Sequence, residues 1–215
     1  MRVAVVIGGG GPPTVARPDL GDLGDDPLVV AADSGLAGAR GLGLDVDLVV
    51  GDMDSVDASV LAEAEATGVA VERHPAAKDA TDLDLALDAA LARGAERLVV
   101  VTGTGDRFDH ALAVALSLAA DRLAAATIEA WIGPAHLWVV RDHLAITGPP
   151  GMLVSLLPAH GPARGVTTAG LRYPLHGEDL DSGTTRGISN ELTGPAASIR
   201  LEGGVLLVVA PDAAG

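Results

Sequence analysis

Residues 47–56 read DLVVGDMDSV, and this stretch decides the fold. Its apolar run, Leu48-Val49-Val50, does not alternate with polar residues and stops at Gly51. A short continuous apolar run is what a strand shows when helices cover both faces of a parallel sheet. Two carboxylates follow, Asp52 and Asp54, separated by Met53. The pair has two readings. It is an Asp-rich turn in which Asp54 or Ser55 caps the next helix, or it offers two hard oxygen ligands to Mg²⁺.

Working outward, the same pattern recurs. Candidate strands are Arg2–Ile7, Leu28–Ala32, Leu48–Val50, Val69–Glu72 and Arg97–Val101, with one more over Thr127–Gly133. Ala/Leu-rich segments with helical spacing lie between them: Ser34–Leu42, Val56–Thr67, Thr81–Arg93 and Asp109–Ala120. Strands alternating with helices predict βαβ units and a mostly parallel sheet. From Pro134 onward the character changes. Short strand-like runs such as HLWVVRD, MLVSLLP and VLLVVAP are punctuated by Gly and Pro and carry no helical period. The expectation is an α/β domain over residues 1–134 followed by an all-β, sandwich-like domain over 135–215. The loop Pro12–Pro27, rich in Gly, Pro and Asp, reads as irregular.

Composition narrows the function classes. The 215 residues are 48% hydrophobic but only 2% aromatic, so the core is built of Val, Leu, Ile and Ala. A formal net charge of −15 argues against nucleic-acid binding, which needs a basic surface. No cysteine is present, which excludes disulfides and thiolate zinc sites. The N-terminal apolar run is too short for a membrane span and does not read as a signal peptide, so a soluble cytoplasmic protein is expected. Of the 14 basic residues, Lys78 alone is a lysine. It is either chance or a place where a compact ammonium is wanted instead of a planar guanidinium.

In a parallel sheet the carboxyl ends of the strands share one edge, and ligands of open α/β sheets bind there. In chain order that edge collects GGGGPP, Asp33-Ser34-Gly35, GDMDS, HPAAKDATD and GTGDRFDH. Glycines, carboxylates, one Lys and one Arg are the composition of a metal–nucleotide site. Thr81 with Asp84 forms a near capping box, and Asp82 and Asp84 complement the helix dipole. That accounts for Thr81 and Asp84 better than for Lys78 and Asp79. Arg107, between a Gly loop and a helix that Asp109 is placed to cap, reads as a phosphate clamp. His110 is as consistent with a structural role as with a catalytic one, and the other histidines have no ligand spacing. The two prolines after the first glycine run exclude the helix that a dinucleotide-binding turn requires, which argues against an oxidoreductase.

Six blocks, ADSG (32–35), GDMDS (51–55), KDATD (78–82), GTGDRFDH (103–110), GLRYPL (170–175) and GISNE (187–191), occur in the order and rough spacing of a known family. The chain resembles the thiamine pyrophosphokinases over about residues 31 to 192. The resemblance implies two domains, an α/β nucleotide-binding domain and a β-sandwich, in a homodimer with thiamine near the subunit interface. It implies Mg²⁺-dependent transfer of pyrophosphate from ATP to the hydroxyl of thiamine, with release of AMP. It places Asp52, Asp54 and Asp82 at the metal and Lys78 with them as catalytic. Asp33, Lys78, Arg107 and Asp109 fall on the ATP side, and Tyr173, Ser189 and Asn190 on the thiamine side. Three residues depart from the family pattern: Ser34 for Gly, Met53 for an aromatic and Asp106 for Gly. Met53 is expected to serve as packing. The alternatives are a pyrophosphokinase acting on another alcohol such as a pterin, against which GISNE argues, and a non-catalytic thiamine- or nucleotide-binding module, against which the intact transfer set argues.

Overall fold

A computed structural model describes residues 1–11, 20–105 and 107–212. Asp106 and residues 12–19 of the expected irregular loop lie outside these. The chain divides into two compact units, Met1–Ala111 with Ala125–Gly133, and Leu112–Ala124 with Pro134–Gly215. Residues Leu112–Ala124, grouped by sequence with the first half, thus belong to the second unit.

The first unit is built on six parallel strands: β1 (Val3–Ile7), β2 (Leu28–Ala32), β3 (Leu48–Gly51), β4 (Ala70–Arg73), β5 (Arg97–Thr102) and β6 (Thr127–Ile132). Their order is β6-β5-β1-β2-β3-β4, and every pairing is parallel. β1, β2 and β3 are buried at every residue, as their unbroken apolar runs require. Helices α1 (Gly35–Leu42), α2 (Ala58–Ala66) and α3 (Asp82–Ala92) make the crossovers, and α4 (Phe108–Leu118) follows β5. Because β2 lies on one side of β1 and β5 on the other, the topological switch point falls at β1/β5. The two glycine loops, GGGG after β1 and GTG after β5, leave the sheet at that point.

Two helix starts differ from the expectation. α2 begins at Ala58, and its cap is Asp57, whose carboxylate accepts the N–H groups of Ser59 (2.8 Å) and Val60 (3.3 Å). Neither Asp54 nor Ser55 caps it, because the chain needs further residues to leave the left-handed turn at Met53 (φ 66°). α4 begins at Phe108, so Asp109 lies within its first turn instead of capping it. The box at α3 is complete: Thr81 Oγ1 accepts the Asp84 N–H (3.1 Å), and the Asp84 carboxylate accepts the Thr81 N–H (3.4 Å).

The second unit is antiparallel. β7 (Ala135–Val140), β9 (Leu153–Pro158), β12 (Asn190–Glu191) and β14 (Leu206–Ala210) are ordered β12-β9-β14-β7. β8 (His143–Thr147), β10 (Ala163–Ala169), β11 (His176–Leu180) and β13 (Ala196–Arg200) are ordered β11-β10-β13-β8. Side chains from both groups, among them Val154, Leu156 and Val208 against Ile146, Val166 and Ile199, share one buried core. The fold class is therefore an α/β unit with a parallel sheet followed by a β-sandwich-like unit. Among the described residues no helix is long and apolar enough to cross a membrane.

Candidate active site

At the switch point the glycine loops touch backbone to backbone. A Cβ at Gly103 would fall 2.2 Å from the Gly10 carbonyl oxygen, so only glycine permits the approach. Gly103 N–H donates to the Gly9 carbonyl (3.2 Å) and Gly105 N–H to that of Gly10 (3.1 Å). The buried Thr102 hydroxyl donates to the Gly9 carbonyl as well (2.7 Å). Thr102→Val keeps the shape and removes that donor. It is expected to cost about 1 kcal/mol, a fall of about 2–4 °C in Tm by differential scanning fluorimetry.

Beside this floor, the ends of β2 and β3 and the start of α3 bring three carboxylates together. One oxygen each of Asp33, Asp52 and Asp82 lies within 4.8 Å of the others. Asp82 is the first residue of α3, which packs across β1, β2 and β3 and so carries its N-terminus over their carboxyl ends. Gly51 makes room for it: a Cβ there would fall 2.9 Å from Asp82 Oδ1 and 3.1 Å from the Asp33 Cβ. Lys78 closes the group, its ammonium donating to Asp82 Oδ1 (2.6 Å) and Asp52 Oδ2 (3.4 Å).

The three carboxyls differ electrostatically. Burial pushes Asp33 up from the usual carboxylate range; the Ser34 backbone N–H opposes this, while the charges of Asp82 and Asp52 add to it. Asp52 is held low, first by the Asp54 N–H and then by Lys78. Lys78 is raised, chiefly by its hydrogen bond to Asp82. Asp33 also carries a buried carboxylate oxygen, Oδ1, with no hydrogen-bond partner. Such an atom needs a physical reason to be there. Three hard oxygen donors converging on one point, one of them otherwise unsatisfied, fit Mg²⁺.

Asp54 stands apart from this grouping. Its N–H donates to Asp52 Oδ1 (3.2 Å), while its own carboxylate is exposed and accepts the Ser55 hydroxyl (2.9 Å). Met53 between them packs against the cluster of Ala31, Leu36, Val49 and Ala64, as expected. Ser34 lies against the first glycine loop, where a Cβ at Gly9 would meet its Oγ at 2.6 Å.

Arg107 and Asp109 pair with each other at 2.5 Å, and both side chains are exposed. The Arg107 hydrogen bond lowers the Asp109 carboxyl to about 2. A lowered value means that whatever the pair adds to stability is present above the ordinary carboxylate value and lost as pH falls through about 2. Carboxyl-carbon NMR is expected to show that midpoint, and Arg107→Gln to return Asp109 to the ordinary range.

In the second unit, Tyr173 and Asn190 are joined. The buried Asn190 carboxamide oxygen accepts the N–H groups of Tyr173 (3.0 Å) and Glu191 (3.0 Å), and its nitrogen donates to the Tyr173 carbonyl (2.8 Å). Asn190 thus fixes the loop that presents the exposed Tyr173 ring, over which the Arg172 guanidinium lies 5.6 Å from the centroid. Ser189 is exposed, with its N–H on the Ser155 hydroxyl (3.1 Å). Four non-glycine residues among those described have positive φ, and three of them, Asp33, Met53 and Ser189, sit in the motif blocks. Backbone strain concentrates at functional sites, and the sequence carried no signal for it.

The comparisons with known proteins bear on both units. The family model described as thiamin pyrophosphokinase, catalytic domain, matches residues 23–129. The one described as thiamin pyrophosphokinase, vitamin B1 binding domain, matches residues 144–206. The thiamine pyrophosphokinase of Bacillus subtilis (strain 168) is 28% identical over 97% of this chain and 98% of its own. Its namesake crystal structure from Bacillus subtilis superposes with a TM-score of 0.77 at 26% identity, covering 96% of this chain and 98% of that one. The thiamin pyrophosphokinase from Geobacillus thermodenitrificans gives 0.76 at 28% identity, covering 96% of each chain. Fold, site and matches together define an enzyme of the transferase class, a kinase. The chain belongs to the thiamin pyrophosphokinase family, whose chemistry is the diphosphorylation of thiamine.

Proposed function

We propose that the protein transfers pyrophosphate from ATP to the hydroxyl of thiamine in a Mg²⁺-dependent reaction, giving thiamine diphosphate and AMP. One observation carries the metal part: the Asp33–Asp52–Asp82 grouping with its buried, unpartnered Asp33 oxygen. Asp52, Asp54 and Asp82, joined by Asp33, would hold Mg²⁺, which when bound neutralises phosphate charge and templates the phosphates. Asp54 keeps its place through its N–H contact to Asp52.

The chain's own contribution is positioning and charge, the main resources in phosphoryl transfer. The glycine floor brings backbone close to the phosphates, and Lys78 and Arg107 supply cationic charge to them. Arg107 and Asp109 act as one unit on the nucleotide. Tyr173, Ser189 and Asn190 serve thiamine, with Asn190 acting through the loop that it fixes. We assign the first unit (expected domain 1–134) to nucleotide and metal and the second (135–215) to thiamine; the description of the second family model as a vitamin B1 binding domain supports the thiamine part. A cytoplasmic location is part of the proposal, and the sequence resemblance supports a homodimer with thiamine near the subunit interface. The net charge of −15 supports no nucleic-acid partner.

The test is AMP release from ATP and Mg²⁺ with thiamine and a panel of other alcohols, including a pterin. AMP and thiamine diphosphate formed with thiamine alone are expected. AMP formed only with another alcohol would move the acceptor, and ligand binding without AMP at any Mg²⁺ concentration would make the protein a binding module.

A further inference from the structure

Lys78 is the single lysine beside 13 arginines, and it lies inside the acidic grouping. Its side chain is 14% exposed, and it binds the same carboxylates, Asp52 and Asp82, that converge with Asp33. Three carboxylates and one ammonium leave two formal negative charges, so the ammonium only partly compensates the site. An ammonium at 2.6 Å from Asp82 Oδ1 takes up a lone pair of a carboxylate that a cation would also use. A monovalent and a divalent cation held on the same carboxylates also repel each other strongly at this range. The flexible four-carbon stem of lysine lets its charge leave such a site, whereas the planar fork of arginine locks onto carboxylates bidentately. That difference gives a physical reason for a lysine here in a chain that otherwise uses arginine.

We propose that Lys78 is an internal counter-ion: it holds Asp52 and Asp82 together and gives them up when the divalent cation binds, which frees its ammonium for the phosphates. This rests on reading Asp33, Asp52 and Asp82 as the metal site. Metal and Lys78 then compete for the same carboxylates. Removing the ammonium strengthens metal binding in the absence of nucleotide, the opposite of what loss of a merely structural residue does.

A single lysine makes the test direct. Protein labelled with ¹³C,¹⁵N-lysine gives one lysine side-chain signal. Titration of the nucleotide-free protein with Mg²⁺ is expected to shift that signal in step with binding measured by calorimetry. Lys78→Met, with its fold checked by circular dichroism, is expected to bind Mg²⁺ about ten-fold more tightly or better. Mg²⁺ binding that leaves the lysine signal in place, or Lys78→Met binding no more tightly than wild type, overturns the proposal and leaves the metal site standing. No Mg²⁺ binding by either protein overturns both. The lysine signal is read on wild-type protein, so the result does not depend on the variant folding.

Discussion

Asp82→Asn is expected to lower thiamine diphosphate formation by about 10²–10³-fold while leaving the protein folded. The expectation follows from where Asp82 sits. Its carboxylate enters the grouping with Asp33 and Asp52 over the bare Cα of Gly51 and takes the shorter of the two Lys78 contacts, 2.6 Å. Asparagine fills the same volume but removes one anionic ligand. The fold is insulated from the change because the start of α3 is secured by Thr81 and Asp84, neither of which depends on Asp82. The lost charge–dipole term at the helix N-terminus is about 0.3–1 kcal/mol. A ranking follows from the same geometry. Asp54, also proposed to hold Mg²⁺, has an exposed carboxylate that lies outside the three-carboxylate grouping, so Asp54→Asn is expected to lose clearly less activity than Asp82→Asn. Rates are read by thiamine diphosphate formation and folding by circular dichroism. Equal losses in the two variants would overturn the ordering, and wild-type activity in Asp82→Asn would overturn the metal site.

The α/β half was legible because β1, β2, β3 and nearly all of β5 are buried on both faces and leave unbroken apolar runs, although the edge strand β4 has no buried residue. Leu48–Val50 announces itself in any window. β11, HGEDL, was missed for the converse reason: it is an edge strand with only Leu180 fully buried, so no apolar pattern marks it. The two-residue β12 is too short to leave a pattern at all. At the site, the carboxylates were legible as residues at strand ends but their grouping was not. Asp33 was expected on the ATP side and lies in the carboxylate cluster itself. That depends on a left-handed backbone at Asp33 and on the closeness of Gly51 to Asp82, both tertiary facts. The cap of α2 went to Asp57 because Met53 turns the chain left-handed first, and nothing in the string GDMDSVD marks which aspartate the turn leaves at the helix start. Asn190 reads as a ligand residue in GISNE, yet its oxygen is taken up by two backbone N–H groups, a commitment visible only once Tyr173 is placed beside it.

Asp33→Asn is expected to raise stability while abolishing most activity. Asp33 is only 7% exposed, one of its oxygens has no partner, and burial pushes its carboxyl upward with Asp82 and Asp52 adding to the effect. The sign follows from linkage. A carboxyl whose folded value lies above its unfolded one costs stability at neutral pH, where it must be ionised, and returns that stability as pH falls through the folded value. The neutral asparagine is the same shape, removes the charge at every pH, and is among the few residues that tolerate the left-handed backbone at this position (φ 46°). Tm of the metal-free variant at neutral pH is therefore expected to rise by about 2 °C or more, and the gap from wild type to narrow as pH is lowered. Activity is expected to fall by about 10²-fold or more, because the site keeps two of its three converging carboxylates. Added Mg²⁺ should raise the Tm of wild type more than that of the variant, since a ligand that binds only the folded state stabilises in proportion to its affinity. A lower Tm in the variant would make Asp33 a structural carboxylate that the fold depends on. A higher Tm with lost activity is the signature of a charge kept at a cost in stability because the chemistry requires it.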